Sequence, residues 1–456
     1  AGIEALVVDE AIAARERANP EIRRFDIDRM IAVSRRAAAA RELLRDQNSA
    51  AIRATLHRQF RDNVKLSETS VTQLDNAGRK FKKTYATGRR ELEHEFSKTM
   101  RHKSIRELAS GDSGRVVNDL KPIWLMSPLS VSDTLPLEPE LFDVVIFDEA
   151  SQIPTEDAVP ALCRAGQVVI VGDEMQLPPT SFFATSQTDE DMEVVAEEDG
   201  ERIAIVLDAD SLLSQAARNL PATLLAWHYR SRFEALISFS NAAFYAGELV
   251  TIPDRTLRSR HARGGPVASD DDEAWAAGVD RLLAAPITAH RMADGVYEHR
   301  ANLPEARYIA GLVRELLARD TGQSIGIVAF SEAQQSEIED ALEVLAAEDE
   351  SFAAALTREM EREEDGQFTG LFVKNHENVQ GDERDIILMS VCYAPGPDGR
   401  MAMNFGPINQ RGGEKRLNVI FSRAKRHMAI VSTIAPEAIT NIHNDGARAL
   451  RSFLAF

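Results

Sequence analysis

The sequence predicts an α/β protein of the doubly wound class, in which helices cover both faces of parallel sheets. After Lys121, apolar runs of four to six residues alternate with segments of helical periodicity. This is the pattern of strands that are buried on both faces and connected by crossover helices. Before Lys121 the composition is that of long helices, rich in Ala, Arg, Glu and Leu.

The strands are expected at the short apolar runs. These are Ile123–Met126, Val144–Phe147, Val168–Val171, Thr223–Leu225, Ile325–Phe330, Ile386–Val391 and His427–Val431. The composition and the pattern of apolar residues divide the chain into three parts. They are a helical, partly coiled-coil-like insertion at 1–120, a first α/β region at 121–222 and a second α/β region at 223–456.

The N-terminal helical region is basic, although the whole chain is acidic. The formal charge of the sequence is −19, while residues 1–120 hold 24 basic and 18 acidic residues. A strongly acidic chain argues against nucleic acid as a partner only if its charge is evenly spread. Two interpretations of the basic side chains remain open: the solvated face of a helical hairpin, or an arm that contacts a phosphate backbone. The candidate contacts are Lys82, Lys83, Arg89 and Arg90.

Composition excludes several classes of protein. The chain is 44% hydrophobic and 27% charged, which is globular rather than disordered. No apolar stretch is long enough to predict a membrane span. Cys163 and Cys392 are the only cysteines. Two cysteines exclude a disulfide framework and a cysteine-based zinc site, and they favour a reducing, cytoplasmic location.

Two adjacent carboxylates follow one of the expected strands. Residues 142–152 read FDVVIFDEASQ, which places Asp148 and Glu149 at the carboxyl end of a strand, where open α/β sheets bind ligands. Asp148 suits Mg²⁺, which takes one or two carboxylates together with phosphate oxygens of a substrate. Glu149 is suited to orient and deprotonate an attacking water molecule. A strand that ends in Asp-Glu also occurs without a function, so this pattern needs support.

Support comes from the next expected strand. Residues 168–179 read VVIVGDEMQLPP, so a Gly-Asp turn follows the strand and presents Gln176. A neutral amide can sense a γ-phosphate or hold the attacking water without adding charge. A plain strand and turn would account for Gly172 but not for the whole run.

Together the two runs resemble motifs II and III of superfamily 1 helicases. Their wording is similar to the 5′→3′ branch that includes the nonsense-mediated-decay helicase and the replication helicase–nuclease. The runs MSPLS at 126–130 and MNFGP at 403–407 resemble large bacterial multidomain members of this branch. The resemblance implies two RecA-like domains, the first of them incomplete in this chain, with ATP and Mg²⁺ bound between them.

The second half of the chain carries further motifs of this family in the same order. LAWHYRS at 225–231 resembles the motif IV region and implies that Arg230 contacts the γ-phosphate. NVQGDERD at 378–385 resembles motif V and implies nucleotide contacts for Gln380, Gly381 and Glu383. RLNVIFSRAK at 416–425 resembles motif VI and implies that Arg423 is the arginine finger. A planar guanidinium that keeps its proton suits that role better than Lys.

The phosphate-binding loop of such motors, Gly-x-x-x-x-Gly-Lys-Ser/Thr, is missing. No Gly-Lys dipeptide occurs in the 456 residues, and the first residue is not Met. We expect a fragment whose loop lies upstream, and the other interpretation is a degenerate family member. In both cases we expect this chain alone to bind ATP weakly and to hydrolyse none at a useful rate.

Two functional hypotheses follow. The first is an ATP-dependent helicase or translocase that acts on single-stranded or duplex nucleic acid, with DNA favoured over RNA. The second is a non-catalytic nucleic-acid-binding or scaffold protein that keeps the fold. The direction of movement is implied by the resemblance alone. Residues 1–456 show no nuclease constellation, so a nuclease-like domain would lie outside them.

Overall fold

The computed structural model describes residues 27–177, 211–253, 267–269, 271–364, 366–376 and 378–456, with the backbone alone at 193–198 and 201–206 and a few residues between 10 and 20. Pro178 and Pro179, which end the motif III run, lie outside the described residues. The chain divides into two compact units, Ala1–Leu141 and Phe142–Phe456. The three-part division expected from sequence texture stays a prediction.

The described part of the first unit is helical. Its α-helices are α1 (Ile27–Glu68), α2 (Asn76–Ser97), α3 (Ile105–Ala109), α4 (Gly111–Leu120) and α5 (Pro128–Thr134). Helix α2 begins where the Asp75 side chain accepts the Gly78 N–H at 2.7 Å, which satisfies a free amide of the first turn. The first two helices form a hairpin. The expected strand at 123–126 is wrong, because no described strand pairs with it.

The hairpin is fastened to α4 by a small core and one carboxylate. Tyr85, Leu92 and Val116 are buried together. Asp119 Oδ2 accepts hydrogen bonds from the Tyr85 hydroxyl at 2.6 Å and from Asn63 Nδ2 at 2.8 Å. Three helices therefore meet at one acceptor, which fixes their register more tightly than apolar packing alone.

The second unit opens with a two-stranded parallel sheet. β1 (Phe142–Phe147) pairs with β2 (Ala165–Ile170), and α6 (Thr155–Leu162) crosses between them. Both strands confirm the expectations at 144–147 and 168–171. A backbone hairpin of β3 (Glu193–Glu198) and β4 (Glu201–Val206) and helix α7 (Leu212–Asn219) follow.

The stretch 223–225 was expected to be a strand, and this is wrong. No described residue pairs with it, and Leu224 and Leu225 are exposed. Pairing occurs a little later instead, where Trp227 forms an isolated parallel bridge with Val250. An extended apolar segment becomes a strand only where a neighbouring backbone supplies hydrogen bonds.

A six-stranded sheet, parallel throughout, dominates the second unit. Its strands are β5 (Val267–Ala268), β6 (Ile287–Met292), β7 (Ile325–Ala329), β10 (Phe372–Asn375), β11 (Arg384–Ser390) and β12 (Ala424–Ser432), and a separate hairpin is formed by β8 (Glu363–Glu364) and β9 (Gln367–Phe368). The strand order in the sheet is β10-β7-β11-β12-β6-β5. The expected strands at 325–330, 386–391 and 427–431 are confirmed.

Helices cover both faces of this sheet, which confirms the doubly wound α/β class. They are α8 (Ala235–Phe244), α9 (Asp272–Ala284), α10 (Leu303–Ala318), α11 (Glu332–Glu348), α12 (Glu350–Met360), α13 (Gly413–Phe421) and α14 (Asp445–Ala455). One apolar core packs α8, α13 and α14 against one face of the sheet. A second core packs the four helices α9, α10, α11 and α12 against the other face. None of the helices described is both long and apolar enough to cross a bilayer.

Candidate functional site

The carboxylate pair follows β1 directly. Glu149 has a φ of 52°, a left-handed conformation that is uncommon for a residue with a Cβ. Its N–H donates to Asp148 Oδ1 at 3.0 Å, and both side chains are exposed. Gly172 follows β2, and a Cβ on it would lie 3.1 Å from the Ala150 nitrogen. The glycine therefore lets the turn after Glu149 lie close against the end of β2.

Gln380 reaches this carboxylate from the segment before β11. Its Nε2 donates to Glu149 Oε2 at 3.1 Å, although the two residues are 231 positions apart. The next residue, Gly381, has a φ of 85°. A positive φ favours glycine, so the backbone conformation alone explains why glycine occupies this position. The hydrogen bond therefore joins the segment before β11, which belongs to the six-stranded sheet, to the Glu149 carboxylate that follows the two-stranded sheet.

Arg230 and Glu383 form an ion pair beside this contact. Arg230 Nε lies 2.5 Å from Glu383 Oε2, and Lys425 Nζ lies 3.0 Å from Glu383 Oε1. Burial opposes ionisation of Glu383, yet these two cations hold its pKa below the usual range. Arg230 also donates to the Ser422 carbonyl at 3.4 Å. Arg230 and Glu383, which the sequence predicted as nucleotide contacts, thus form an ion pair with each other in this structure.

A histidine stiffens the segment that carries Arg230. His228 Nε2 accepts the Ser231 N–H at 3.2 Å, so its proton resides on Nδ1. Burial, aided by the charge of Arg230, lowers the pKa of His228 to about 4. The ring is therefore neutral at physiological pH and serves as a fixed acceptor.

Arg423 is a buried cation with neutral partners. Its side chain is 2% exposed, and its guanidinium donates to the Val419 carbonyl at 2.7 Å and to Ser422 Oγ at 3.2 Å. Within the described ranges no carboxylate lies in ion-pair distance of it. Burial and the nearby Arg230 lower the pKa of Arg423 to about 10, while the charge of Glu149 opposes that shift. A buried cation without an anion costs free energy unless a ligand supplies the charge.

Gln176 is held by a neighbour that the sequence analysis did not single out. Its Nε2 donates to Asp173 Oδ2 at 3.0 Å. The same carboxylate oxygen accepts the Tyr245 hydroxyl, which in turn accepts a hydrogen bond from Asn418. Asp173 and Asn418 lie within the runs that resemble motifs III and VI, so their positions in the sequence could have marked them as site residues. Tyr245 lies outside every quoted motif, so the sequence did not mark it.

Family models and curated proteins both match this chain. A family model described as "AAA domain" matches residues 209–435, and a second model with the same description matches residues 2–183. The "Uncharacterized ATP-dependent helicase MG140" of Mycoplasma genitalium is 32% identical over 75% of this chain and 28% of its own length. The two AAA-domain matches and this relative confirm the resemblance of the motifs to superfamily 1 helicases.

Other similarities are more distant. The "DNA replication ATP-dependent helicase/nuclease dna2" of Schizosaccharomyces pombe is 27% identical over 66% of this chain and 19% of its own. Among solved structures, "The structure of PRRSV helicase" covers 63% of this chain and 34% of its own at 12% identity and a TM-score of 0.26. The chain spans between 19% and 28% of the length of the curated relatives it matches.

The four basic candidates of the hairpin formed by α1 and α2 fall into two pairs. Lys82 Nζ donates to the Thr69 carbonyl at 2.5 Å, and Arg89 pairs with Glu68 at 3.1 Å. Both therefore hold α2 against the end of α1. Lys83 and Arg90 are exposed and lie seven residues, or about two turns, apart on one face of α2. Of the four, these two are placed to contact a polyanion.

Proposed function

We propose that the chain carries the ATP-hydrolysing motor of a nucleic-acid helicase or translocase. The observation that carries the proposal is the hydrogen bond between Gln380 and Glu149 at 3.1 Å, because it joins motifs of two sheets at one reactive carboxylate. Arg230 forms an ion pair with Glu383, and both residues lie close enough to Arg423 to influence its pKa.

The side chains around the hydrogen bond between Gln380 and Glu149 fit ATP with Mg²⁺. Asp148 is exposed directly after β1, which suits a cation that is held by one carboxylate and phosphate oxygens. Asp148 is the residue that would hold Mg²⁺, which would shield negative charge on the phosphates. Arg423 supplies the complementary feature, a buried positive charge that has no carboxylate within ion-pair distance among the described residues.

Each remaining side chain takes one task. Glu149 accepts a proton from the attacking water, and Gln380 orients that carboxylate. Gln176 holds the water or senses the γ-phosphate, and Arg423 stabilises the charge that develops on the transferred group. Arg230 exchanges the Glu383 carboxylate for phosphate oxygens. Glu383 is then free to contact the ribose face of the nucleotide, as the resemblance implies.

Nucleic acid is the proposed partner. The curated relative from Schizosaccharomyces pombe is named a DNA replication helicase/nuclease, which favours DNA over RNA for this chain, and the exposed Lys83 and Arg90 supply cations for a phosphate backbone. Movement in the 5′→3′ direction, a cytoplasmic location and a nuclease-like domain elsewhere in the polypeptide are part of the same proposal.

The test is a Glu149→Gln substitution in the full-length polypeptide, with Glu156→Gln as its charge-matched control. Glu156 is exposed on α6 and has no proposed role. Loss of the base should lower kcat for ATP by about 100-fold or more while KM changes little, since Gln keeps the shape and removes the proton acceptor. Glu156→Gln should behave as wild type in magnesium-dependent phosphate release.

Two outcomes would contradict the proposal. Full turnover in Glu149→Gln would exclude Glu149 as the base. Absence of turnover in the wild-type polypeptide, together with tight nucleic-acid binding, would favour the non-catalytic alternative.

A further inference from the structure

The loop after β2 is organised by one carboxylate. Asp173 Oδ1 accepts the Met175 N–H at 2.9 Å, and Asp173 Oδ2 accepts Gln176 Nε2 at 3.0 Å. A two-point hold of this kind fixes both the backbone turn and the direction of the Gln176 amide. Any group that moves Asp173 therefore also moves Gln176.

Tyr245 and Asn418 close a ring of hydrogen bonds around this loop. The Tyr245 hydroxyl donates to Asp173 Oδ2 at 2.6 Å and accepts from Asn418 Nδ2 at 2.9 Å. The second hydrogen of the same amide goes to the Met175 carbonyl at 2.8 Å. Asn418 is 1% exposed and lies on α13, the helix that precedes Arg423. The ring thus joins the Gln176 loop to the helix of the arginine finger.

Tyr245 is itself held in place by its own loop. It caps α8, and Asn241 of that helix bonds both the carbonyl and the N–H of Leu249, at 3.0 and 2.9 Å. The adjacent Val250 exchanges backbone hydrogen bonds with the segment that leads to Arg230, at 2.7 and 3.0 Å. Burial and the neighbouring Asp173 raise the pKa of Tyr245 far above its usual range, so the hydroxyl remains a donor.

We propose that Tyr245 is a positioning residue that couples Gln176 to the α13 helix and Arg423, so that both side chains adjust together when the γ-phosphate is bound or released. The proposal rests on the proposed function for its kinetic consequence, but the coupling itself is a property of the protein without nucleotide. Tyr245 contacts no candidate ligand group directly and acts through Asp173 and Asn418.

The kinetic test removes one oxygen atom. In the full-length ATP-hydrolysing polypeptide, Tyr245→Phe should lower kcat about 10-fold with less than a twofold change in the KM for ATP, because the amide and the finger are no longer aligned together. Combined with Gln176→Ala, it should add almost nothing to the loss caused by Gln176→Ala alone, since residues that act as a unit are not additive. Effects that multiply, or an unchanged kcat, would overturn the coupling.

Tyr308→Phe is the matched control. Tyr308 is 1% exposed, lies in the other core of the second unit, and its hydroxyl bonds His290 Nδ1 at 2.9 Å. Its loss should destabilise the fold without changing the kinetic constants. A purely structural role for Tyr245 would give the same result as this control.

A second measurement does not depend on activity. Without nucleotide, hydrogen exchange in peptides that span 171–177 and 413–423 should become about 10-fold faster in Tyr245→Phe, in both peptides together, and remain unchanged in Tyr308→Phe. Unchanged exchange, or a change in only one peptide, would exclude the link. If the wild type hydrolyses no ATP but the exchange responds as expected, the proposed function fails and the structural coupling stands.

Discussion

Glu305 shows how much one residue of the second sheet depends on its neighbours. The side chain is fully buried at the start of α10. It accepts hydrogen bonds from the Cys392 N–H at 2.8 Å, from the Ser390 hydroxyl at 2.9 Å, and from the N–H and hydroxyl of Thr433 at 2.9 Å each. The carboxylate thereby holds together the ends of β11 and β12, so its function in this chain is structural.

Burial raises the pKa of Glu305 to about 7, although the surrounding donors oppose the shift. A folded-state pKa above the unfolded value means that the folded protein binds more protons at pH 5 to 7, so stability is present at low pH and lost as pH rises through 7. We expect the stability of wild type relative to Glu305→Gln to fall by about 2.5 kcal/mol between pH 5 and pH 8.

Urea unfolding of both proteins at several pH values checks this prediction. The comparison removes the contributions of the buried His290 and His376, whose neutral rings act in the opposite direction. The buried Cys392 thiol stays neutral throughout, because burial raises its pKa well above the ordinary value. A difference between the two proteins that does not vary with pH would contradict the assigned shift.

At the scale of elements, the helical hairpin depends on a close approach of α2 to α4. A Cβ on Gly88 would lie 2.1 Å from the Asp112 carbonyl oxygen, a separation that real contacts do not reach. Gly88→Ala should therefore force the helices apart and destabilise the hairpin by about 2 kcal/mol, even though Ala is the better helix former.

Hydrogen exchange within 76–97 measures this loss. Lys80→Ala on the same helix is the control, because Lys80 is exposed and its replacement should leave protection unchanged. Equal protection in Gly88→Ala and wild type would mean that α2 and α4 do not pack as closely as observed.

The strands illustrate which elements a sequence pattern predicts. β7 is buried along its whole length, and its continuous apolar run predicted it. β6 reads ITAHRM and alternates between buried and exposed positions, and β10 contains Lys374 and Asn375. Neither forms a continuous apolar run, so the sequence pattern predicted neither strand. Residues 123–126 and 223–225 are apolar but unpaired, because pairing depends on a neighbour that local sequence does not specify.

At the scale of the whole molecule, charge is distributed so that an acidic chain still presents cations. Residues 1–120 are net positive while the whole chain has a charge of −19. We expect reversal of the exposed pair, Lys83→Glu with Arg90→Glu, to weaken binding of a single-stranded oligonucleotide and to lower the slope of log affinity against log salt by about 1.4, or about 0.7 for each lost phosphate contact.

Titrations at several salt concentrations decide this point. The control reverses Arg400 and Arg448, which are exposed in the second unit and alter the net charge equally. Reversal of Lys82 and Arg89 would be less informative, because they hold α2 to α1. If affinity and salt slope are the same in the exposed-pair variant and wild type, the hairpin surface is only solvated.

The sequence by itself predicted the α/β class, the resemblance to superfamily 1 helicases and the candidate site side chains, because these depend on local runs such as FDVVIFDEASQ and on the order of motifs. Only the tertiary structure decided which of those side chains meet. The bond of Gln380 to Glu149 and the ring through Tyr245 join residues that are 72 to 243 positions apart. Such contacts depend on where the folded chain returns, which is set by strand order and helix packing rather than by any local pattern.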